Sequence, residues 1–523
     1  MQTKFRFIKN SFVSLFFVLA LFLCFETDIC GQQISPLWGE LPNGKYKVGY
    51  RTLIERDGSR SFPKKSGASF ISVARQIKIS LWYPAQNSGK PKMKFREYLS
   101  AMADAESIRE KLESRSGFMQ FSVLQELPEA AIANLLAVST AATRNAPFLK
   151  GEKFPLVILG QGLYYESPAT HTILCEFLAS QGFIVATTDL VGAHSPFVKL
   201  DAVDLEADVR DLEFVISRAR LLEGADKEKL AVAGFDMGGL AGLILTMRNR
   251  EVDAFASLDS GIMAEHNLRL VKATADYDAL RLGVPLFHAT RPAEELARFG
   301  VSEDTSFLDA ARFSDRLVLR FPGARHADFT SRPMIEFIAA QMRDEATTRR
   351  RLSFEAAARN LSAFLEAHLK NDRQALEFLY SQAVDEPPAK IKFKKERKAA
   401  ARRPAFTEDE FLNYLYSEGA EKASNLYRKL RAEFPNERIF RESTLKQIGY
   451  NRFYRGEASE AIGIFKLNVE AFPDSSNAYE TLAQAYALSG DLEAAKSNYK
   501  KSLQLDPNNE NAKTQLKRLE EKK

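Results

Sequence analysis

The sequence predicts an α/β domain, a mostly parallel sheet with helices on both faces, followed by an all-α domain built from repeats. Three observations predict it. Short apolar runs alternate with amphipathic helical stretches between residues 154 and 369. Pro473 and Pro507 stand 34 residues apart in a tail of helical pattern. A strongly basic run, residues 390–403, separates the two regions. Alternating strands and helices give a parallel sheet covered on both sides. A fixed helical period gives stacked hairpins that share one core.

The 523 residues hold 73 Lys+Arg against 68 Asp+Glu, and 45% are hydrophobic. This composition excludes a disordered chain, a collagen-like fibre and a polytopic membrane protein. Residues 1–10 carry Lys4, Arg6 and Lys9, and residues 11–25 are uncharged and apolar. A basic start before an apolar stretch is the pattern of a secretory signal. Fifteen residues fall short of the roughly 20 that a spanning helix needs. The reading is a signal peptide over residues 1–31 and export to the periplasm or beyond. An uncleaved membrane anchor is the alternative, and Cys30 also admits a lipoprotein. Once the signal is gone Cys175 is alone, so no internal disulfide forms.

Residues 44–51 (GKYKVGYR) and 75–83 (RQIKISLWY) alternate as strands do. Residues 95–142 read as a helical insert, either a lid over the strand ends or a layer packed at the side. Then come the strands FPLVILG, FIVATTD, KLAVAGF, AFASL, VPLFHA and RLVLRF, with helices between them and a long closing helix at 354–369. Right-handed crossovers bring all these strand C-termini to one edge, where chemistry collects in such sheets. This domain spans residues 32–380.

Residues 381–406 form the basic linker. Residues 390–403 hold eight Lys/Arg and one Glu, so the rest of the chain is near neutral and no nucleic-acid partner is expected. The run reads as a solvated linker, with contact to an anionic membrane surface as the sharper reading. In residues 407–523, Tyr479, Leu482, Ala483, Tyr486, Gly490, Ala495, Tyr499 and Pro507 fit the tetratricopeptide signature. Ile448, Gly449, Gly456, Ala461, Phe465 and Pro473 fit a second copy, and Ala423, Tyr427 and Pro435 a weaker third. About three repeats and a polar capping helix are expected. Their ligand would be a protein or peptide, or the stack serves as a spacer.

The chemical signal is Gly234-Phe235-Asp236-Met237-Gly238, between the strand KLAVAGF and a helix. A tight strand-to-helix turn needs small residues two before and two after its apex, and Gly234 and Gly238 supply them. The apex is Asp236, where a G-x-S-x-G elbow has Ser. Asp259 follows the strand AFASL, 23 residues on, and His326 follows RLVLRF. The order apex, Asp, His is that of an α/β-hydrolase triad.

These residues, with KYKVGYRTL, LWYPAQ, PLVILGQGL, FLASQGFIVATTDLVGAH and GARHADFT, resemble an α/β-hydrolase of the plasma-type platelet-activating factor acetylhydrolase and dienelactone hydrolase kind. The likeness spans roughly residues 44–331. It implies Asp259 as triad acid, His326 as base, and the backbone N–H groups of Leu163 and Met237 as oxyanion donors. Two residues depart from it. Gln161 stands where that family often has His, and Asp236 stands at the Ser nucleophile.

The second departure divides the chemistry. A carboxylate attacking an ester would form an anhydride, and loss of a Ser nucleophile costs on the order of a millionfold in kcat. Aspartate is a competent nucleophile at saturated carbon. It could also act as a base on water, or the pocket could merely bind. The leading expectation is a hydrolase of small ester-like or lipid-derived molecules. The alternative is a silent binding or scaffold protein that works through its repeats.

Gln161, Tyr164 and His194 are candidate pocket residues. His171, His266, His288 and His368 read as ordinary core or surface residues. Asp328 reads as a turn residue or a support for His326. No zinc spacing or phosphate loop sits at a strand–helix junction, so neither metal nor cofactor is expected.

Overall fold

The computed structural model describes residues 35–66, 69–102, 127–163, 168–338, 340–381, 391–401, 407–434 and 438–521. The chain divides into two compact units, with the boundary between Ala401 and Arg402.

In the first unit, ten strands form one sheet: β1 (Lys47–Ser66), β2 (Ser69–Ala85), β3 (Ala142–Arg144), β4 (Phe154–Gly160), β5 (Ile184–Thr188), β6 (Ala225–Phe235), β7 (Ala254–Leu258), β8 (Leu286–Thr290), β9 (Arg316–Arg320) and β10 (Lys394–Lys398). Their order is β10-β9-β8-β7-β6-β4-β5-β2-β1-β3. The pairs from β5 through β9 are parallel. β2 runs antiparallel to β1 and β5, and β10 antiparallel to β9.

The central strands are buried along their whole length, because helices cover both faces. Alternate side chains therefore enter two separate cores. Val157, Leu159, Phe235 and Phe287 pack on one face with Phe177 and Phe364. Leu156, Ile158, Val232 and Phe255 pack on the other with Leu212 and Leu240. The helix Glu345–Leu369 closes the first face, and the helices Ala202–Ala219 and Met237–Arg248 close the second. This arrangement leaves the C-terminal ends of β4, β6, β7, β8 and β9 side by side at one edge.

Three elements differ from expectation. The β1–β2 hairpin runs to Ser66 and Ser69, well beyond residues 44–51 and 75–83. Its outer half mixes charged residues with the exposed apolar Phe70 and Ile71, so it lacks the apolar alternation that marks a half-buried strand. Of the helical insert, Phe95–Met102 and Glu129–Ala137 are helices and residues 103–126 lie outside the described residues. Phe95, Leu99 and Leu135 are buried with Trp38 and Trp82 in the first core, so the described part packs at the side.

The basic linker is the largest correction. Lys394–Lys398 is an edge strand paired with β9 over all five residues, and Ile391 and Phe393 are buried in the core. Arg397 bonds Asp315, and Lys398 bonds Asp309. Lysines are what an exposed edge strand uses to discourage further pairing, and their density hid the strand. The predicted signal peptide lies outside the described residues. Among the described residues no helix is long and apolar enough to cross a membrane.

The second unit is all helical. Glu408–Glu418 pairs with Ala420–Glu433, Glu442–Tyr454 with Ala458–Ala471, and Ser476–Leu488 with Leu492–Leu505. Glu510–Glu521 follows as the cap. Small residues set the contact distance: a Cβ on Gly449 would lie 2.3 Å from the Phe465 ring. Tyr450 donates its hydroxyl proton to Gln484 Oε1, one repeat later, at 2.8 Å. Pro435 lies outside the described residues.

Candidate active site

The turn between β6 and the helix Met237–Arg248 puts Asp236 at φ 49°, ψ −123°. That backbone is strained for any residue with a Cβ, and such strain persists only where surrounding structure enforces it. Close packing enforces it here. A Cβ on Gly234 would lie 2.3 Å from the Gly238 oxygen, and one on Gly238 would lie 2.2 Å from the Gly160 carbonyl carbon. The Gly238 N–H donates to the Gln161 oxygen at 2.8 Å and ties the elbow to the loop after β4.

Asp236 extends above the sheet edge. Its Oδ2 accepts the backbone N–H of Leu163 at 2.8 Å. The Met237 N–H faces the same carboxylate and steadies its charge. Both groups that the sequence assigns as oxyanion donors are thus turned on the apex side chain. Its Oδ1 stands 3.8 Å from His326 Nε2.

His326 opens the short helical turn His326–Phe329 after β9. Its Nδ1 lies 2.7 Å from Asp259 Oδ2. The imidazole stacks on Phe235, ring centres 4.5 Å apart and 26° from parallel, which fixes its plane. Asp259, just past β7, also has positive φ, at 44°. Thr290 Oγ1 and the Arg291 N–H donate to its Oδ1 at 2.9 and 3.3 Å, and Arg291 Nε donates to its Oδ2 at 2.8 Å. The predicted trio is therefore assembled: Asp236, His326 and Asp259 form one line of contacts.

Burial raises the Asp236 pKa above the usual carboxylate value, although the charge of His326 and the two N–H groups pull it back. Burial also raises Asp259, but His326 and Arg291 outweigh it and hold this carboxyl well below the usual range. For His326, burial disfavours the charged ring. The bond and charge of Asp259, with the charge of Asp236, override it and raise the pKa. An imidazole between two carboxylates keeps its proton to higher pH.

Other expected residues fall elsewhere. Gln161 is buried and bonds Thr187 Oγ1, so its side chain points back into the sheet and not into a pocket. His194 is exposed and does not line the cleft beside Asp236. Tyr164 lies outside the described residues. Asp328 accepts the Arg325 N–H at 2.7 Å, which caps the turn that carries His326, and burial pushes its carboxyl up to about 7. His171 and His368 are ordinary packed residues, the former stripped of charge by burial, which lowers its pKa to about 3. Among the described residues no three His, Cys, Asp or Glu side chains are grouped to hold a metal ion.

Thr290, Arg291 and Asn267 are site residues that sequence reasoning missed, and His266 and His288 line the cleft despite their bland reading. Thr290 and Arg291 carry the same signal as Asp259 and His326. They close the strand β8 at the chemical edge of the sheet.

Residues 43–191 match the family model for platelet-activating factor acetylhydrolase, isoform II, and residues 476–509 match a tetratricopeptide repeat. The strand order, the elbow and the position of the trio complete the picture. The first unit has the α/β-hydrolase fold. It resembles the platelet-activating factor acetylhydrolase family and is followed by tetratricopeptide repeats. The first match ends before Asp236, so it speaks for the scaffold of this domain and not for its apex. A ferulic acid esterase from Streptomyces cinnamoneus is among the solved structures it matches, with 21% identity over 66% of this chain and 96% of that one, and a TM-score of 0.47. No curated protein matches the sequence.

Proposed function

We propose that this hydrolase-like domain works through a covalent ester on Asp236, formed at a saturated carbon. One observation carries the reading. Oδ2 is already held by the Leu163 N–H, while Oδ1 remains turned toward His326. The cradle that would polarise an ester carbonyl is filled by the protein's own carboxylate, which disfavours the ordinary acyl-enzyme route.

In the proposed cycle Oδ1 attacks carbon and the leaving group departs with its bonding pair, leaving an alkyl ester on Asp236. His326 Nε2 then takes a proton from water, and the hydroxide adds to Cγ of Asp236. The negative charge on Oδ2 meets the N–H groups of Leu163 and Met237. Collapse expels the alcohol oxygen, which recovers the proton from His326, and Asp236, now carrying one oxygen from water, returns to its carboxylate by releasing the remaining hydroxyl proton to solvent. Asp259 keeps the imidazole oriented and stabilises its cation.

The raised His326 pKa favours a second reading, a silent binding protein, because a protonated ring is no base. In either case the repeats are the surface for a protein partner, and the basic, apolar N-terminus supports export.

Mass spectrometry of the Asp236 peptide separates the two. The His326→Gln chain, incubated with a panel of alkyl halides and epoxides, should accumulate one alkyl adduct on Asp236. The unchanged chain in heavy-oxygen water should place one labelled oxygen there. No adduct and no label across the panel would retire the covalent reading and leave the silent one.

A further inference from the structure

A cleft of about 160 Å³ runs from Asp236 and Asp259 between Asn267 and Arg291, walled by Met263 and Leu296. At roughly 30 Å³ for each water-sized group, it accommodates about five non-hydrogen atoms. Two polar groups in it are unspent. Arg291 gives its backbone N–H and Nε to Asp259, while its two terminal nitrogens bond no described residue. The guanidinium carbon sits 5.8 Å from the centre of the Phe299 ring, and Arg291 lines the cleft. Asn267 is 8% exposed, and its side-chain NH2, the group able to donate to an anion, bonds no described residue. A buried amide left unpaired costs about 1–3 kcal/mol, and such a group calls for an explanation.

We propose that this cleft is a binding site for a compact carboxylate, gripped by the terminal nitrogens of Arg291 and by the side-chain NH2 of Asn267. The planar guanidinium fork matches a carboxylate in shape and charge. The apolar walls suit a chain of two or three carbons. Arg291 offsets the charge of Asp259, so the Arg291 side of the cleft is where an added anion is best accommodated. The site rests on the covalent reading only for its catalytic meaning: the reacting carbon would lie between Asp236 and the substrate's own acid group. Binding itself needs no turnover.

The test is calorimetric titration of the full chain with propionate and with propionamide, which match in size and differ in charge. Propionate should bind at least tenfold more tightly. Arg291→Gln should abolish that preference, and Asn267→Asp should weaken propionate at least tenfold by setting a second anion beside it. His326→Gln should leave the preference in place. Thermal unfolding confirms that each variant is folded; if Arg291→Gln is not, the acid–amide comparison and Asn267→Asp decide. Equal binding of acid and amide by the unchanged chain overturns the proposal, as does a preference that survives in folded Arg291→Gln. Acid preference without an Asp236 adduct would sink the covalent reading alone. An adduct from neutral halides without acid preference would sink the carboxylate site alone.

Discussion

The backbone N–H of Leu163 donates to Oδ2 of Asp236 at 2.8 Å, so the loop after β4 and the elbow after β6 are joined through the apex side chain itself. In a serine elbow that donor waits for the substrate. Here it is already bonded to the apex carboxylate before any substrate arrives.

Replacing Asp236 with Ser should release the cradle and supply a hydroxyl at the same apex. The rest of the machinery is in place, with His326 bonded to Asp259 and stacked on Phe235. One oxyanion donor contributes about 10²–10³ in kcat. Hydrolysis of short acyl nitrophenyl esters by Asp236→Ser should therefore exceed that of the unchanged chain by at least about a hundredfold, read by nitrophenol release. Equal rates would show that the loop of Leu163 does not serve as an oxyanion hole.

The proton on His326 can be followed without any substrate. Its pKa is raised, so the free base appears only at a pH above the ordinary imidazole value, and activity that needs the base should rise over that range. The sign also applies to stability. The stabilisation that this group adds is complete below its unfolded pKa and fades as pH rises through the folded one. The charge of Arg291 opposes protonation. Arg291→Gln should move the His326 titration further upward, and Asp259→Asn should move it downward. Proton NMR of the imidazole reads both, and a downward move in Arg291→Gln would contradict the geometry.

Much of this was legible because the elbow carries its own constraints. Gly234 and Gly238 flank Asp236 for a steric reason that the sequence displays, and Asp259 and His326 each follow a mostly apolar strand. Asn267 was not legible, and Arg291 shared with Asp259 and His326 only its place after a strand. An arginine after a strand is common, and only the fold brings its Nε to Asp259. Gln161 was misplaced because its position in the loop is right while its side chain finds Thr187 behind it. The edge strand β10 escaped notice because its residues are chosen for solvent, and its pairing with β9 is a fact of tertiary structure.

The glycine argument is directly measurable. An added Cβ at Gly238 meets backbone at 2.2 Å, which no rotamer change relieves, whereas at Gly58 nothing lies within 4 Å. Gly238→Ala should cost about 3 kcal/mol in the unfolding of the first unit, the upper range for overpacking. Gly58→Ala, on the exposed hairpin, should stay within about 0.5 kcal/mol. Urea denaturation followed by tryptophan fluorescence isolates this unit, because Trp38 and Trp82 are its two tryptophans and both are buried. Equal midpoints for the two variants would mean that the elbow is not held as tightly as its contacts indicate.

The boundary of the first unit yields the last prediction. If residues 381–406 were only a tether, a chain ending at residue 380 would fold as well as one ending at residue 401. The shorter chain, however, loses β10 and with it the pairing of all five residues of β9. It also loses Phe393, which stacks on Phe321 with ring centres 4.9 Å apart, and the buried Ile391. Burial of a large apolar side chain is worth about 1.5–3 kcal/mol, so two of them rival a sizeable fraction of a domain's net stability. The bared edge of β9 would also present free N–H and C=O groups to other chains. The chain ending at 380 should therefore melt several degrees lower and associate at concentrations where the one ending at 401 stays monodisperse. Scanning calorimetry and size-exclusion chromatography check this, and matching melting temperatures would return the basic run to the role of a tether.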